Sequence, residues 1–269
     1  MTHEPTAIHH AAGPPAAGTG TGMLLNSPLD AASLDRLLEV ATAQRPARVL
    51  DHGCGWGEVL LRALEHAPLA TGRGVEIHEP DVRRARAQAR ERGLEARAGF
   101  TLGSSADFRE PADLLVSLGA YQAFGDVPTA LRTLREDLTP GGRAVFGAEY
   151  WQHPPTSAEL ECMWPDASPA DCSDLPDLVD AAHAAGWRVL DLHDSTLQEF
   201  DAFELGHLRE REAWLVAQPE EPSGQDDAAP ASPGEPASAA ELRRSLDQSW
   251  TAWLRGRRRP LGFITFVLG

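Results

Sequence analysis

In RVLDHGCGWGEVL, residues 48–60, a short apolar run meets three glycines at alternate positions, Gly53, Gly55 and Gly57, and a second apolar run follows. Arg48 to His52 reads as a buried strand and Glu58 onward as a helix, so the glycines form the turn between them. Glycine lets backbone approach another group closely, and the first amides of the following helix point back at the turn. Asp51 stands at the end of the strand, where anything held by the turn arrives. A strand, glycine turn and helix at the first crossover is where open α/β sheets bind nucleotide-like ligands.

Working outward, the same alternation continues. Before the turn, Leu34, Leu37, Leu38 and Ala41 share one helical face, with Asp30 or Ser33 as cap. After it, strands are predicted at GRGVEIH, GFTLG, ADLLVSLG, GGRAVFGAEY, WRVLDLHD and LGFITFVLG. Helices fall between them, one opened by Pro80 and stopped at Gly93, one introduced by Pro128, and one closing on Gly186. Alternating strands and helices predict a doubly wound, mostly parallel sheet. Residues 195–260 interrupt the pattern with two helical segments and, at about 218–238, a Pro-, Gly-, Ser- and acid-rich stretch that reads as a flexible loop. Residues 1–22 are too poor in large apolar side chains to pack and read as a disordered tail. The expected organisation is a sheet domain over 23–194 plus 261–269, with 195–260 as a helical cap.

Composition narrows the function. The 269 residues carry a formal net charge of −16, which opposes binding to nucleic acid or anionic membrane surfaces. No apolar run is long enough to span a bilayer, the N-terminal residues lack a signal-peptide core, and Cys54, Cys162 and Cys172 form no disulfide framework. A cytoplasmic location is expected. Cys54 and Cys162 have no partners at metal-ligand spacing, so no metal site is expected. Every basic residue other than histidine is arginine, which excludes a Walker-type phosphate loop and a pyridoxal phosphate Schiff base.

The turn also departs from the dinucleotide pattern, because Glu58 stands where GxGxxG has its third glycine. A pyrophosphate would meet that carboxylate; a ligand carrying positive charge would not be repelled. The spacing of Asp51, Gly53, Gly55 and Gly57 resembles the first motif of the class I S-adenosylmethionine (SAM)-dependent methyltransferases. Further matches are Glu76 at the end of the second strand, GSSAD after the third, LLVSLGAYQAFGD around the fourth and LREDLTPGGRAVFG before the fifth. The resemblance spans roughly residues 23–193 plus the last strand.

That resemblance implies a Rossmann-like seven-stranded doubly wound sheet whose last strand is antiparallel, with SAM as cofactor. It implies a SAM site made by Asp51, Gly53, Cys54, Gly55, Gly57, Glu76, Ile77, Ser105, Ala106, Leu118 and Gly119. Glu76 would bind the ribose hydroxyls and Ile77 would pack on adenine, while Ser105 occupies the stretch where the family usually has an aspartate, with Asp107 two residues on. A looser likeness to a little-characterised bacterial branch rests on GAEYW, EFDAFE and the Trp-rich segment before the last strand.

Methyl transfer from a sulfonium needs the nucleophile held in line with the methyl group and water kept out. A base, if one is used, should lie on the loops after the fourth to sixth strands, which offer Glu149, Tyr150 and His193 as catalytic candidates. Tyr121, Gln122, Trp151, Phe200, Phe203 and Glu204 are the candidate acceptor pocket. The aromatics of the inserted helix, and Trp250 and Trp253, either line that pocket or dock the helix. The Arg-rich runs RRARAQARER and RGRRR read as solvated surface. The expected partner is a small-molecule methyl acceptor, a homodimer stays open, and the alternative function is a SAM-binding sensor or scaffold without transferase activity.

Overall fold

The computed structural model describes residues 14–15, 20, 22–218 and 238–269. The predicted disordered tail and flexible loop fall almost wholly outside the described residues. The elements, in chain order, are α1 (Ala31–Thr42), β1 (Arg48–His52), α2 (Glu58–His66), β2 (Thr71–Glu76), α3 (Glu79–Glu91), β3 (Ala98–Leu102), β4 (Ala112–Leu118), α4 (Val127–Asp137), β5 (Leu138–Trp151), α5 (Ser157–Leu160), α6 (Leu175–Ala184), β6 (Val189–Asp194), α7 (Leu197–Ala217), α8 (Ala239–Thr251) and β7 (Leu261–Leu268). Short 3-10 turns sit at Ser105–Asp107 and Tyr121–Phe124, and a π-helical stretch at Ala252–Arg257 continues α8.

The seven strands form one sheet in the order β3-β2-β1-β4-β5-β7-β6. β1 to β5 pair in parallel, and β7 runs antiparallel between β5 and β6. The order turns back between β1 and β4, so a crevice opens beyond the carboxyl ends of those two strands.

Strand alternation sorts the core into two layers. Val49, Leu114, Val116, Val145 and Val267 face α1, α2 and α3, while Leu50, Leu115, Phe146 and Phe266 face α4 and α6. Each fully buried Leu or Phe contributes roughly 1.5–3 kcal/mol. Asp30 caps α1 by accepting the Ser33 amide at 2.7 Å, and Asp126 caps α4 by accepting that of Thr129 at 2.8 Å. The Pro140-Gly141-Gly142 turn is absorbed into β5 as an irregularity, where the register jumps between Ala112 and Leu114 of β4.

The cap is held from two sides. On one, Trp253 stacks on Phe200 at 5.1 Å and donates to Asp201 at 3.1 Å. On the other, Leu208 of α7 packs against Leu242 and Leu246 of α8. The segment between β5 and α6, which the sequence pattern leaves unassigned, joins this cap. Trp164 stacks on Trp151 at 6.4 Å, and Met163 and Cys172 pack on the cluster of Trp151, Phe200, Trp253, Leu261 and Phe263.

The arginine runs need correction, because several of their guanidinium groups have internal partners. Arg84 donates to the carbonyls of Gly20 and Met23, Arg86 to that of Phe100, and Arg92 to the Glu58 carboxylate. Arg257 pairs with Glu204 at 2.8 Å and Arg258 with Asp201 at 2.8 Å.

Candidate active site

The crevice between β1 and β4 contains a cavity of about 500 Å³, in the size range of small-molecule sites. The glycine turn shapes its floor. Gly53 has φ +68°, and a Cβ there would lie 2.4 Å from Ala120 Cβ. Gly57 has φ +82° as the N-cap of α2, with the Phe100 ring filling the place of any side chain. The Ser105 hydroxyl accepts the Gly53 amide at 3.1 Å, so this serine braces the turn from below.

Two carboxylates face the cavity from neighbouring strand ends. Glu76 accepts the amides of Gly55 at 2.9 Å, Ile77 at 2.8 Å and His78 at 2.9 Å. Asp51 is buried, and its Oδ2 has no hydrogen-bond partner. Burial first, and the charge of Glu76 second, push the Asp51 carboxyl well above its usual range. A cation entering the cavity relieves both effects.

Glu58 also lines the cavity, but its charge is already met by Arg62 at 2.6 Å and by Arg92. Glu58 is therefore a weaker barrier to a phosphate than its position suggests, and Glu76 and Asp51 are the carboxylates left to meet a cation. At the rim, the Ile77 side chain is 73% exposed, an open apolar surface for a planar ring.

Of the residues assigned to the cofactor, Asp51, Gly53, Cys54, Gly55, Glu76, Ile77, Ser105, Leu118 and Gly119 line this cavity. Gly57 and Ala106 do not: Gly57 only sets the turn, and the Ala106 amide is taken by the Ser104 hydroxyl. Cys54 Sγ packs against Gly74, and burial pushes its thiol far up, so it is a wall and not a nucleophile. The sequence reading missed Leu25, Asn26, Ser27 and Trp56, which also line the cavity. Leu25 to Ser27 belong to a strap before α1, fastened where the Trp56 indole donates to the Leu24 carbonyl at 2.7 Å. Its only sequence signal was a polar Asn-Ser pair before a proline.

The catalytic candidates separate. Tyr150 alternates to the α4 and α6 face, is buried in that core, and donates its hydroxyl to Asp194 at 2.8 Å. His193 lies on the edge strand β6 and bonds Glu199 at 3.0 Å, while Glu199 also closes the capping box of α7 with Thr196. Neither lines the cavity, and both hold elements together. Glu149 points to the cap side, near Tyr121, and its Oε2 is buried without a partner.

The acceptor-pocket candidates divide as well. Gln122 lines the cavity and Tyr121 adjoins it. Trp151 and Phe200 are buried in the cap core, Phe203 packs beside them, and Glu204 faces a second cavity of about 380 Å³ within the cap with Arg257 and His207. For Trp151, Phe200 and Trp253 the docking role is the one observed. Among the described residues no group of three or more His, Cys, Asp or Glu is placed to hold a metal ion, and no helix is long and apolar enough to cross a membrane.

Comparison with known proteins falls on the same half of the molecule. The family model for mycolic acid cyclopropane synthetase matches residues 27–193, which includes the glycine turn, Glu76 and the strands on both sides of the cavity. The chain belongs to this family. It is a class I SAM-dependent methyltransferase. Within and around the cyclopropane synthetase family, the chain is 28% identical over 240 residues to the uncharacterized protein YjhP of Escherichia coli, covering 88% of this chain and 89% of YjhP. The X-ray structure of YjhP superposes with a TM-score of 0.74 at 26% identity, over 91% of this chain and 94% of that one. A SAM-dependent methyltransferase from Geobacter sulfurreducens, crystallised with S-adenosyl-L-homocysteine, shares the fold with a TM-score of 0.76 at 24% identity, over 93% and 95% of the two chains. The nocamycin O-methyltransferase of Saccharothrix syringae is 37% identical over 112 residues, 40% of each chain.

The residues at the cavity fit SAM, the family's cofactor. The unpartnered Asp51 Oδ2 and the adjoining Glu76 suit a ligand that is cationic and carries ribose hydroxyls, and Ile77 offers an apolar face to its base.

Proposed function

We propose that this chain transfers the SAM methyl group to a small-molecule acceptor that approaches from beneath the cap. SAM supplies the electrophilic methyl carbon; the protein's own residues bind, orient and exclude water. Glu76 accepts the ribose hydroxyls, Ile77 covers the adenine, and the backbone around Leu118 and Gly119 borders the methionine end. Asp51 keeps the cavity selective for a cation. Residues 195–218 and 238–260, joined by the segment before α6, form the cap over the acceptor side, and Gln122 with Tyr121 marks the passage from one side to the other.

The observation that carries the reading is the pair of carboxylates, Asp51 unpartnered and Glu76 tied to the glycine turn, in one cavity at the switch of strand order. A small acceptor is supported by the cap, with its packed aromatic core, and by the likeness to an enzyme named for a small molecule, the nocamycin O-methyltransferase. The net charge of −16 supports an acceptor that is not nucleic acid, and the same composition supports a cytoplasmic enzyme. The test is incubation of the purified chain with methyl-labelled SAM and bacterial extract, followed by size separation. Label in the low-molecular-weight fraction supports the proposal; label confined to protein or RNA, or copurified SAM that never turns into S-adenosylhomocysteine, defeats it.

A further inference from the structure

Glu149 combines three features that the cofactor site does not use. It is half-buried on the cap-facing side of β5, its Oε2 is wholly buried with no hydrogen-bond donor, and the Tyr121 hydroxyl lies close to its carboxyl. Its position relative to the cavity follows from the sheet register. Gly119, which lines the cavity, donates its amide to the Gly147 carbonyl at 3.0 Å, and Glu149 lies two residues further along the same strand face. Phe263, paired with Glu149 across β5 and β7, would lie 3.7 Å from a Cβ on Gly119. Tyr121 in turn precedes Gln122, another cavity residue. Tyr121 and Glu149 therefore stand at the edge of the cofactor cavity, on the side toward the cap.

The surroundings do not supply the missing donor. From the turn after β4 comes Tyr121; from the loop before α6 comes Cys172, whose thiol burial pushes up to about 12; from the π-helical stretch comes Arg257. Arg257 is turned to Glu204 of α7, bonding it at 2.8 Å, and acts on Glu149 only through its charge. Burial raises the Glu149 carboxyl above the usual range, while Tyr121 and Arg257 pull it back. A buried carboxylate oxygen without a donor is costly, and a ligand that brings an N–H or O–H removes that cost.

We propose that Glu149, with Tyr121 beside it, is the proton acceptor of the transfer, and that the acceptor molecule presents a protic nitrogen or oxygen nucleophile to Oε2. The proposal rests on the methyltransferase reading above. In the step, the nucleophile's lone pair forms the bond to the methyl carbon as the carbon–sulfur bond breaks and its electron pair stays on sulfur. The proton leaves the nucleophile for Glu149 Oε2, giving a neutral acid that later returns the proton to solvent. An alkene or other carbon nucleophile has no such hydrogen to offer, and a thiol is a weak donor.

The experiment incubates the full chain with SAM carrying a carbon-13 methyl group and a low-molecular-weight Escherichia coli extract, and reads the products by heteronuclear NMR, which separates methyl on N, O, S and C. Methyl on nitrogen or oxygen is expected. Glu149→Gln should lose about 10²–10⁴-fold in rate, the usual span for a general base, and Glu149→Asp should keep part of it, with SAM affinity by calorimetry unchanged in both. Independently of activity, infrared titration of the wild type should show a carboxyl that protonates above the ordinary glutamate range, absent in Glu149→Gln and raised further in Tyr121→Phe. Methyl on carbon or sulfur, a fully active folded Glu149→Gln, or no such carboxyl overturns the inference and leaves the methyltransferase reading standing. Wild-type protein that binds SAM and labels nothing overturns the methyltransferase reading itself.

Discussion

Glu76 Oε2 accepts the Gly55 amide at 2.9 Å, which fastens the end of β2 to the glycine turn after β1. The carboxylate we propose for the ribose is thus also a structural clamp, with the Ile77 and His78 amides on its other oxygen. Glu76→Ala should weaken SAM by at least about tenfold, or ~1.4 kcal/mol, and also lower stability by about 1–3 kcal/mol through the amides left unmet. Glu76→Gln, which keeps a carbonyl oxygen, should fall between. Calorimetric titration beside a melting curve separates the effects, and undiminished SAM affinity in the alanine variant would place the cofactor elsewhere.

His52 gives the fold a pH dependence. It is fully buried, neither ring nitrogen has a partner, and it meets Phe124 edge-on at 5.3 Å. Burial lowers its pKa to about 4 from 6.5. The unfolded chain therefore binds a proton that the native chain refuses, so this contribution is whole above about pH 6.5 and is lost as pH falls toward about 4. The loss amounts to ~3 kcal/mol. Urea midpoints of wild type and His52→Leu, measured across that window, should lie closest at neutral pH and separate in acid, where only the wild type loses stability; parallel curves would contradict this account.

The strap before α1 should govern how long the cofactor stays. Arg84 donates to the carbonyls of Gly20 at 2.9 Å and Met23 at 2.8 Å, with its guanidinium 4.2 Å from the Trp56 ring centroid. Arg84→Ala removes these ties at about 1–2 kcal/mol and should speed S-adenosylhomocysteine dissociation several-fold with little change in the sheet. Stopped-flow dissociation and limited proteolysis near residue 20 would read this, and an unchanged off-rate would show that the strap does not cover the ligand.

Glu58 should matter for stability more than for ligand charge. It is buried between Arg62 and Arg92, which also reach Asp35 and Glu65. Because those arginines are partly exposed and keep second partners, Glu58→Leu should cost about 2 kcal/mol, below the full penalty of a broken buried pair. Denaturant unfolding checks this; a neutral result would mean that the cluster behaves as a surface network.

The cofactor half of the site was legible because its residues lie at strand ends whose chain order matches their neighbourhood. Asp51, Gly53 and Glu76 follow β1 and β2, which are adjacent. The acceptor half was less so. His193 follows β6, the sixth strand in sequence, but β7 inserts between β5 and β6 and moves it to the sheet edge. Tyr150 and Glu149 are consecutive, so alternation sends one to the α4 and α6 core and the other to the cap, and periodicity alone does not say which. Residues 152–174 carry no repeating apolar pattern, yet Met163, Trp164 and Cys172 pack into the cap. The strap was hard to see for the same reason: Leu25 and Leu29 sink into the core without a repeating pattern, and its remaining ties are made by the carbonyls of Gly20, Met23 and Leu24.

The interior position of β7 also orders events during synthesis. Its residues pair with β5 from Ala144–Leu268 to Trp151–Leu261 and with β6 on the other flank. Until residue 268 has left the ribosome, β5 presents an open edge, and β6 has no strand partner in the sheet. The nascent chain therefore carries a finished cofactor half beside an unsealed sheet, a condition that favours strand exchange between neighbouring chains. Chains stalled before β7 should therefore be the form most open to aggregation and to chaperone capture, and the pairing of β7 completes both the sheet and the seat of the cap.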